Sequence, residues 1–358
     1  MRRHAWISAG FVAFSAAMFA PEAKADTMDP ALERLTLISG TNEPCRAAPN
    51  QGGSIACAPD NASWFRLANQ LGFAIAPTAM HPARTTGFGG FVFSIEGAFT
   101  KIDDGASYWR EGTRGPQDAS TKRYSIRNNG PDPLLQVYML KIRKGFPFGF
   151  ELTGNFGHVA HTSLMIGGAD LRWSIFEGFR TGALGILPDL AVGGSVRTTT
   201  GSPQFHLTVA GADGILSKPL PIADSGVLTP YVGYQWIHIF GDTGLIDATP
   251  NTDPLGYCGF KGINIPGTEG AREPYNGQPV CDGGSAADFN NTFVFDSARI
   301  TRHRIVAGLN YRYEMLWVAG QFITDAVNPD DANSGNMAVA LEGTPKQWTM
   351  AFEAGVAF

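Results

Sequence analysis

The chain has 358 residues, of which 16% are charged and 44% hydrophobic, with a formal net charge of −5 and a mean hydropathy of −0.06. Past the N-terminus no run holds the ~18 consecutive apolar residues of a membrane-spanning helix, which excludes a helical membrane protein. The acidic balance also leaves no basic footprint for nucleic acid.

In chain order the first element is a secretory signal. Arg2 and Arg3 precede an apolar stretch from Ile7 to Ala20, and Ala23-Lys24-Ala25 supplies the small residues expected before a cut at Asp26. Residues 1–25 are therefore expected to be removed on export. Residues 26–86 follow as an irregular segment, periplasmic or plugging a barrel, with one short helix. There Asp60 caps a stretch in which Trp64, Leu67, Ala68 and Leu71 keep helical spacing before Gly72.

Four cysteines in an exported chain read as disulfides rather than metal ligands. Cys45 lies near Cys57 and Cys258 near Cys281, each pair in a Gly/Pro/Asn-rich stretch. Local pairing is the favoured expectation, although four cysteines allow three connectivities.

From Gly87 the period becomes two, the signature of half-buried strands. Phe91, Phe93, Ile95 and Phe99 alternate with Val92, Ser94, Glu96 and Ala98. Phe148, Phe150, Leu152 and Phe156 alternate with Glu151, Thr153 and Asn155. Met165, Ala169, Leu171, Trp173 and Ile175 stand against Asp170, Arg172 and Ser174. Leu190, Val192 and Val196 oppose Ser195 and Arg197, and Phe205, Leu207 and Val209 oppose His206 and Thr208. Near the end Ile305, Ala307, Leu309 and Tyr311 face away from Arg304, Asn310 and Arg312.

In a soluble sandwich the apolar faces would form the core. In a membrane barrel they meet lipid while the polar faces line the interior. The polar faces hold both signs, Glu96, Glu151, Asp170 and Glu353 against Arg172, Arg197, Arg304 and Arg312, which a crowded lumen can pair. The apolar faces are rich in Phe and Trp, and the segments run the ~9–11 residues that cross a bilayer on a tilt. The membrane reading is favoured.

The last segment sets Trp348, Met350, Phe352, Ala354, Val356 and Phe358 on one face and Thr349, Ala351, Glu353 and Gly355 on the other. It resembles the closing strand of Gram-negative outer-membrane β-barrels. That resemblance implies an outer-membrane location, contact with outer-membrane lipid, and recognition by the barrel-assembly machinery through an assembly signal here formed by Trp348, Phe352 and Phe358.

The expected fold is thus all-β, a closed antiparallel transmembrane barrel over residues 87–358 with about ten strands. The candidates are 88–99, 134–142, 148–157, 163–176, 189–198, 204–212, 229–240, 299–312, 315–324 and 347–358. Twelve strands stay open because the connections 177–188 and 213–228 are long for periplasmic turns. An even count allows both termini on the periplasmic side, with 101–133, 241–298 and 325–346 as outer loops.

Little in the chain carries chemistry. His238, between Trp236 and Phe240, reads as an interfacial strand residue. Asp330 and Asp331, near Asp325, read as solvated loop charge, and neither a metal nor a cofactor is expected. His161 and Ser163 lie two apart at the start of a strand, with the parity of its lipid-facing residues. The pair is similar to the His-x-Ser arrangement of outer-membrane phospholipase A and lipid A deacylase. The resemblance implies His161 as base and Ser163 as nucleophile, with no matched third member of a triad. The leading functional expectation is a non-enzymatic barrel, acting as a narrow pore or ligand route, or as a structural protein that displays loops. A lipid-facing hydrolase and a soluble secreted β-protein are the alternatives, and a small-molecule ligand is left open.

Overall fold

A computed structural model describes residues 26–38, 40–41, 57–78, 81–116, 127–177, 187–222, 226–247, 258–260, 279–281 and 292–358. The signal segment and Cys45 lie outside the described residues. Strand alternation does what the sequence implies. Ten long strands are joined in order: β1 (Phe91–Lys101), β2 (Leu134–Gly145), β3 (Phe150–Val159), β4 (Met165–Phe176), β5 (Asp189–Thr200), β6 (Phe205–Ser217), β7 (Gly226–Thr243), β8 (Ala298–Tyr313), β9 (Leu316–Asp325) and β10 (Trp348–Ala357). Each pairs antiparallel with its neighbours in sequence.

The circle closes where β10 meets β1, from Thr349↔Thr100 to Ala357↔Val92. Phe358 extends this seam, its N–H donating to the Phe91 carbonyl at 2.8 Å while the Phe91 N–H donates back at 3.1 Å. A closed barrel leaves no sheet edge unpaired, which is the condition for spanning hydrocarbon. The count is ten because residues 213–217 and 226–228 extend β6 and β7. The short strand Leu220–Ile222 merely doubles back onto the start of β7.

On the outer wall Phe150, Leu152, Phe156, Leu171, Trp173, Val192, Val196, Ile305, Leu309, Met350 and Phe352 are exposed to the surroundings. Their strand neighbours Glu151, Thr153, Arg172, Ser174, Arg197, Arg304 and Glu353 are buried inside. Trp173 stacks on Phe150 with ring centroids 5.8 Å apart. An apolar belt outside and a polar lining within is the inverse of a soluble barrel, and places this one in a membrane. The chain is an outer-membrane-type β-barrel.

Two expectations about facing are corrected. Phe205, Leu207 and Val209 point inward, fully buried, while His206 is exposed. This end of β6 meets an apolar lumen rather than lipid, so the apolar face turns inside. Arg312 does not line the lumen. It is exposed at the rim, where its Nε donates to the Glu314 carbonyl at 3.0 Å.

The lumen is filled by the chain itself. Helix α1 (Asn61–Ile75) begins at Asp60, whose side chain accepts from the Ser63 N–H at 3.0 Å. It enters from the end that bears the connections 102–133, 160–164, 201–204, 244–297 and 326–347, the outer end by their length. Trp64, Leu67, Ala68 and Leu71 pack into one apolar cluster with Phe205, Leu207, Val209, Ile237, Ile239 and Ile300. Two short outer helices, α2 (Ser107–Gly112) and α3 (Gly335–Leu341), cover its top, with Arg66 Nε donating to the Ala340 carbonyl at 2.8 Å. The described residues after α1, 76–78 and 81–87, lie toward the opposite end, from which the chain enters β1.

The chain around Asp26 therefore does not share an end with Phe358, as the even strand count had suggested. Residues 26–35 lie among the outer connections, with Met28 N–H donating to the His161 carbonyl and Ala31 N–H to the Gly112 carbonyl, both at 2.9 Å. The physical reason is that α1 and the irregular residues after it traverse the lumen once more, an extra crossing that strand counting misses.

Candidate functional site: a lumen filled from within

The inner half of the lumen is ionic, because every strand places its polar positions there. Glu96 on β1 and Glu353 on β10 are register partners, both almost fully buried. Lys141 on β2 pairs with Glu96 and lies 3.3 Å from Glu353. Arg143, two residues on, sits 3.5 Å from Glu353 and 3.5 Å from Glu151 on β3. Arg197 on β5 forks onto Asp170 of β4 at 2.6 and 3.1 Å. Arg172 reaches Asp213 of β6 at 3.2 Å. Pairing offsets the several kcal/mol that each of these buried charges would cost alone.

These groups grip the descending segment. Thr78 Oγ1 donates to Glu96 at 2.9 Å and accepts from Lys141 at 3.2 Å, while Gln321 donates to the Thr78 carbonyl. Arg172 donates to the His81 carbonyl at 3.1 Å, and the Thr86 N–H donates to Glu151 at 2.7 Å. At the exit Arg84 meets Asp189 at 2.7 Å, and Thr85 donates to Glu177 at 2.8 Å. Burial raises the Glu177 carboxyl above its ordinary value, and the Thr85 hydrogen bonds oppose that rise.

The C-terminal end of α1 is held by two arginines of β8. Arg304 donates to the Phe73 carbonyl at 3.2 Å, to the Pro77 carbonyl, and to Gln235 at 3.0 Å. Arg302 forks onto Asp325 and donates to Asn69 at 2.6 Å, so Asp325 is a buried lumen group rather than a loop charge. Both guanidinium carbons lie over the Phe73 ring, at 4.7 and 5.0 Å. A small cavity lined by His81, Lys141, Arg143, Asp170, Arg172 and Asp213 remains beside residue 77, with room for about one water molecule.

At the outer end Gln70 joins α1 to α2. Its Oε1 accepts from Trp109 Nε1 at 2.6 Å and from the Asp103 N–H at 3.0 Å, and its amide donates to the Tyr108 hydroxyl at 2.9 Å. Burial pushes the Tyr108 hydroxyl up.

His161 and Ser163 sit in the turn before β4, not on the strand, and His161 has a positive φ of 59°. The His161 ring meets Asp132, while Ser163 Oγ donates to Asp29 at 2.9 Å. Each is engaged by a different carboxylate, and neither points to lipid from a strand face. His238 lies on the outer wall between Trp236 and Phe240, with ring centroids at 4.9 and 5.9 Å. Asp331 and Asp330 are held within their own loop, Asn328 donating to Asp331 at 2.9 Å. Among the described residues no three potential metal ligands converge. Cys258 and Cys281 occupy directly opposed positions in a short antiparallel ladder, and Cys57 pairs in register with Ile38.

The residues that pattern reading did not single out are Lys141, Arg143, Arg302, Gln70 and Gln321. For the four strand residues the signal was present, as polar residues at inward parity, whereas Gln70 lies on α1. What Lys141, Arg302 and Gln321 bind, Thr78 and Asn69, lies in a segment with no strand period to betray its place.

No family model matches the chain, and no curated protein matches its sequence. Solved structures to which it is similar include Ail of Yersinia pestis, at 12% identity and a TM-score of 0.25 over 76% of this chain and 99% of that one. The N-terminal β-barrel domain of Pseudomonas aeruginosa OprF matches at 10% identity and a TM-score of 0.25, over 75% and 97%. LpxR of Salmonella typhimurium matches at 10% identity and a TM-score of 0.29, over 74% and 99%. At such values the likeness adds nothing to the fold read from the strand pairing, and nothing about function.

Proposed function

We propose that this barrel is a closed, non-conducting outer-membrane protein whose work is to hold its outer connections and N-terminal arm at the cell surface. The observation that carries this reading is the occupied lumen. Arg302, Arg304, Lys141, Arg172 and Gln321, from four different strands, bind Asn69, Phe73, Pro77, Thr78 and His81. A ten-strand barrel is near the size that side chains alone can fill. With a helix added, the cavity beside residue 77 has room for about one water. The pore and ligand-route expectation loses support for that reason. The hydrolase reading loses support because His161 and Ser163 serve separate carboxylates.

Conductance across planar lipid bilayers tests the proposal. Purified protein should insert without stepwise ion current, and a variant lacking residues 61–78 should conduct. Steady current through the intact protein would overturn the reading.

A further inference from the structure

We propose that the Asp26 nitrogen becomes the N-terminal ammonium of the exported chain and serves as the counter-ion of buried Asp29, so that signal removal locks the outer end. Asp29 is only 6% exposed. Its Oδ1 accepts from the Ser163 N–H at 2.6 Å and from the Ser163 hydroxyl at 2.9 Å, and its Oδ2 accepts from the Asp26 nitrogen at 2.9 Å. Among the described residues no Lys, Arg or His side chain reaches it. A buried carboxylate served only by neutral donors retains most of its desolvation cost, which a cation would offset.

The sequence supplies that cation. Ala23 and Ala25 place a signal-peptidase cut between Ala25 and Asp26. Hydrolysis by such an envelope endopeptidase breaks the Ala25–Asp26 C–N bond. The oxygen of water joins the Ala25 carboxylate, and both its hydrogens go to the Asp26 nitrogen, which leaves as an ammonium. The contact to Asp29 Oδ2 then changes from a bond between a neutral N–H and a carboxylate to one in which donor and acceptor are both charged.

The consequence reaches beyond one pair because Asp29 is a junction. The Arg114 N–H donates to its carbonyl at 2.9 Å, Gly115 N–H donates to the Thr27 carbonyl at 2.8 Å, and Ser163 lies in the turn before β4. The ammonium thus ties the arm to two outer connections at once. Ser163 is then a positioning residue for this lock, which gives its conspicuous contact a role without a nucleophile. The inference rests on the signal segment and not on the closed-lumen reading, so either can fail alone.

The test uses the protein purified from outer membranes. Intact mass should correspond to a chain that starts at Asp26. Acylation of the N-terminal amine should then be at least about tenfold slower in the folded wild type than in Asp29→Asn, the margin expected of a charge-assisted bond. Should Asp29→Asn fail to assemble, a variant with one Gly inserted between Ala25 and Asp26, cut before that Gly, displaces the ammonium while keeping Asp29 and Ser163. Its amine should label at the faster rate. A mature start at any other residue, or equal labelling of wild type and the assembled variant, overturns the proposal.

Discussion

At the scale of single residues, Arg304 shows how a buried cation can position a helix. The last four carbonyls of a helix have no partner within it, and the macrodipole makes that end negative. Arg304 answers both needs by donating to the Phe73 carbonyl in the last turn, and also to the Pro77 carbonyl just past the helix. Arg304→Met keeps much of the volume but leaves those carbonyls unsatisfied, at about 1–3 kcal/mol each. Since the wall itself pairs through β8 backbone, the loss should fall on the lumen segment. The expected result is faster proteolysis within residues 60–87 from the opened end, while the folded gel mobility of the barrel survives. Protease resistance equal to wild type would mean that Arg304 does not hold the helix.

At the scale of elements, the seating of α1 makes a prediction with a definite sign. Gly72→Ala in a solvated helix should stabilise by about 1 kcal/mol through helix propensity. Here the added Cβ would lie 2.6 Å from Ile239 Cγ2, inside a filled cluster, and overpacking of that kind costs about 1–3 kcal/mol. Gly72→Ala should therefore lower the thermal midpoint, and a raised midpoint would remove α1 from the lumen. The Cys258–Phe260 ladder offers a second check. Directly opposed residues of an antiparallel pair lie about 4.5–5.5 Å apart at Cα, inside the disulfide range. A Cys258–Cys281 bond would close 22 intervening residues and stabilise them by ~3 kcal/mol in the chain-entropy model. Reduction should expose residues 244–297 to external protease and leave barrel mobility unchanged. A Cys258–Cys45 link in the mass spectrum would count against that pairing.

At the scale of the whole molecule, the chain crosses the membrane region once more than its strands do. Ten strands return Phe358 to the end where β1 starts, and the lumen segment carries the chain back to the outer connections. An epitope inserted after Asp26 should therefore be reached by antibody on intact cells. One appended after Phe358 should be reached only once the outer membrane is permeabilised. Detection of both from the same side would contradict the threading.

Much of this was legible from local pattern alone. A period of two is a local property of each strand, so all ten strands, the lipid face of Phe150, Leu171 and Phe352, and the helix begun at Asp60 follow from residues a few positions apart. Paired charges such as Arg197 with Asp170 were anticipated because inward parity forces polar residues of both signs into one lumen. The reversed facing of Phe205, Leu207 and Val209 was not legible, since alternation says that two faces differ and not which one meets lipid. That choice depends on whether the lumen beside the strand is polar or filled by Trp64 and its neighbours, a contact 141 residues away from Phe205 in the chain. The same holds for the grip on Thr78, for the separate partners of His161 and Ser163, and for the end at which Asp26 lies. Each is a contact between segments distant in sequence, and local periodicity carries no information about how a chain threads through the space its own strands enclose.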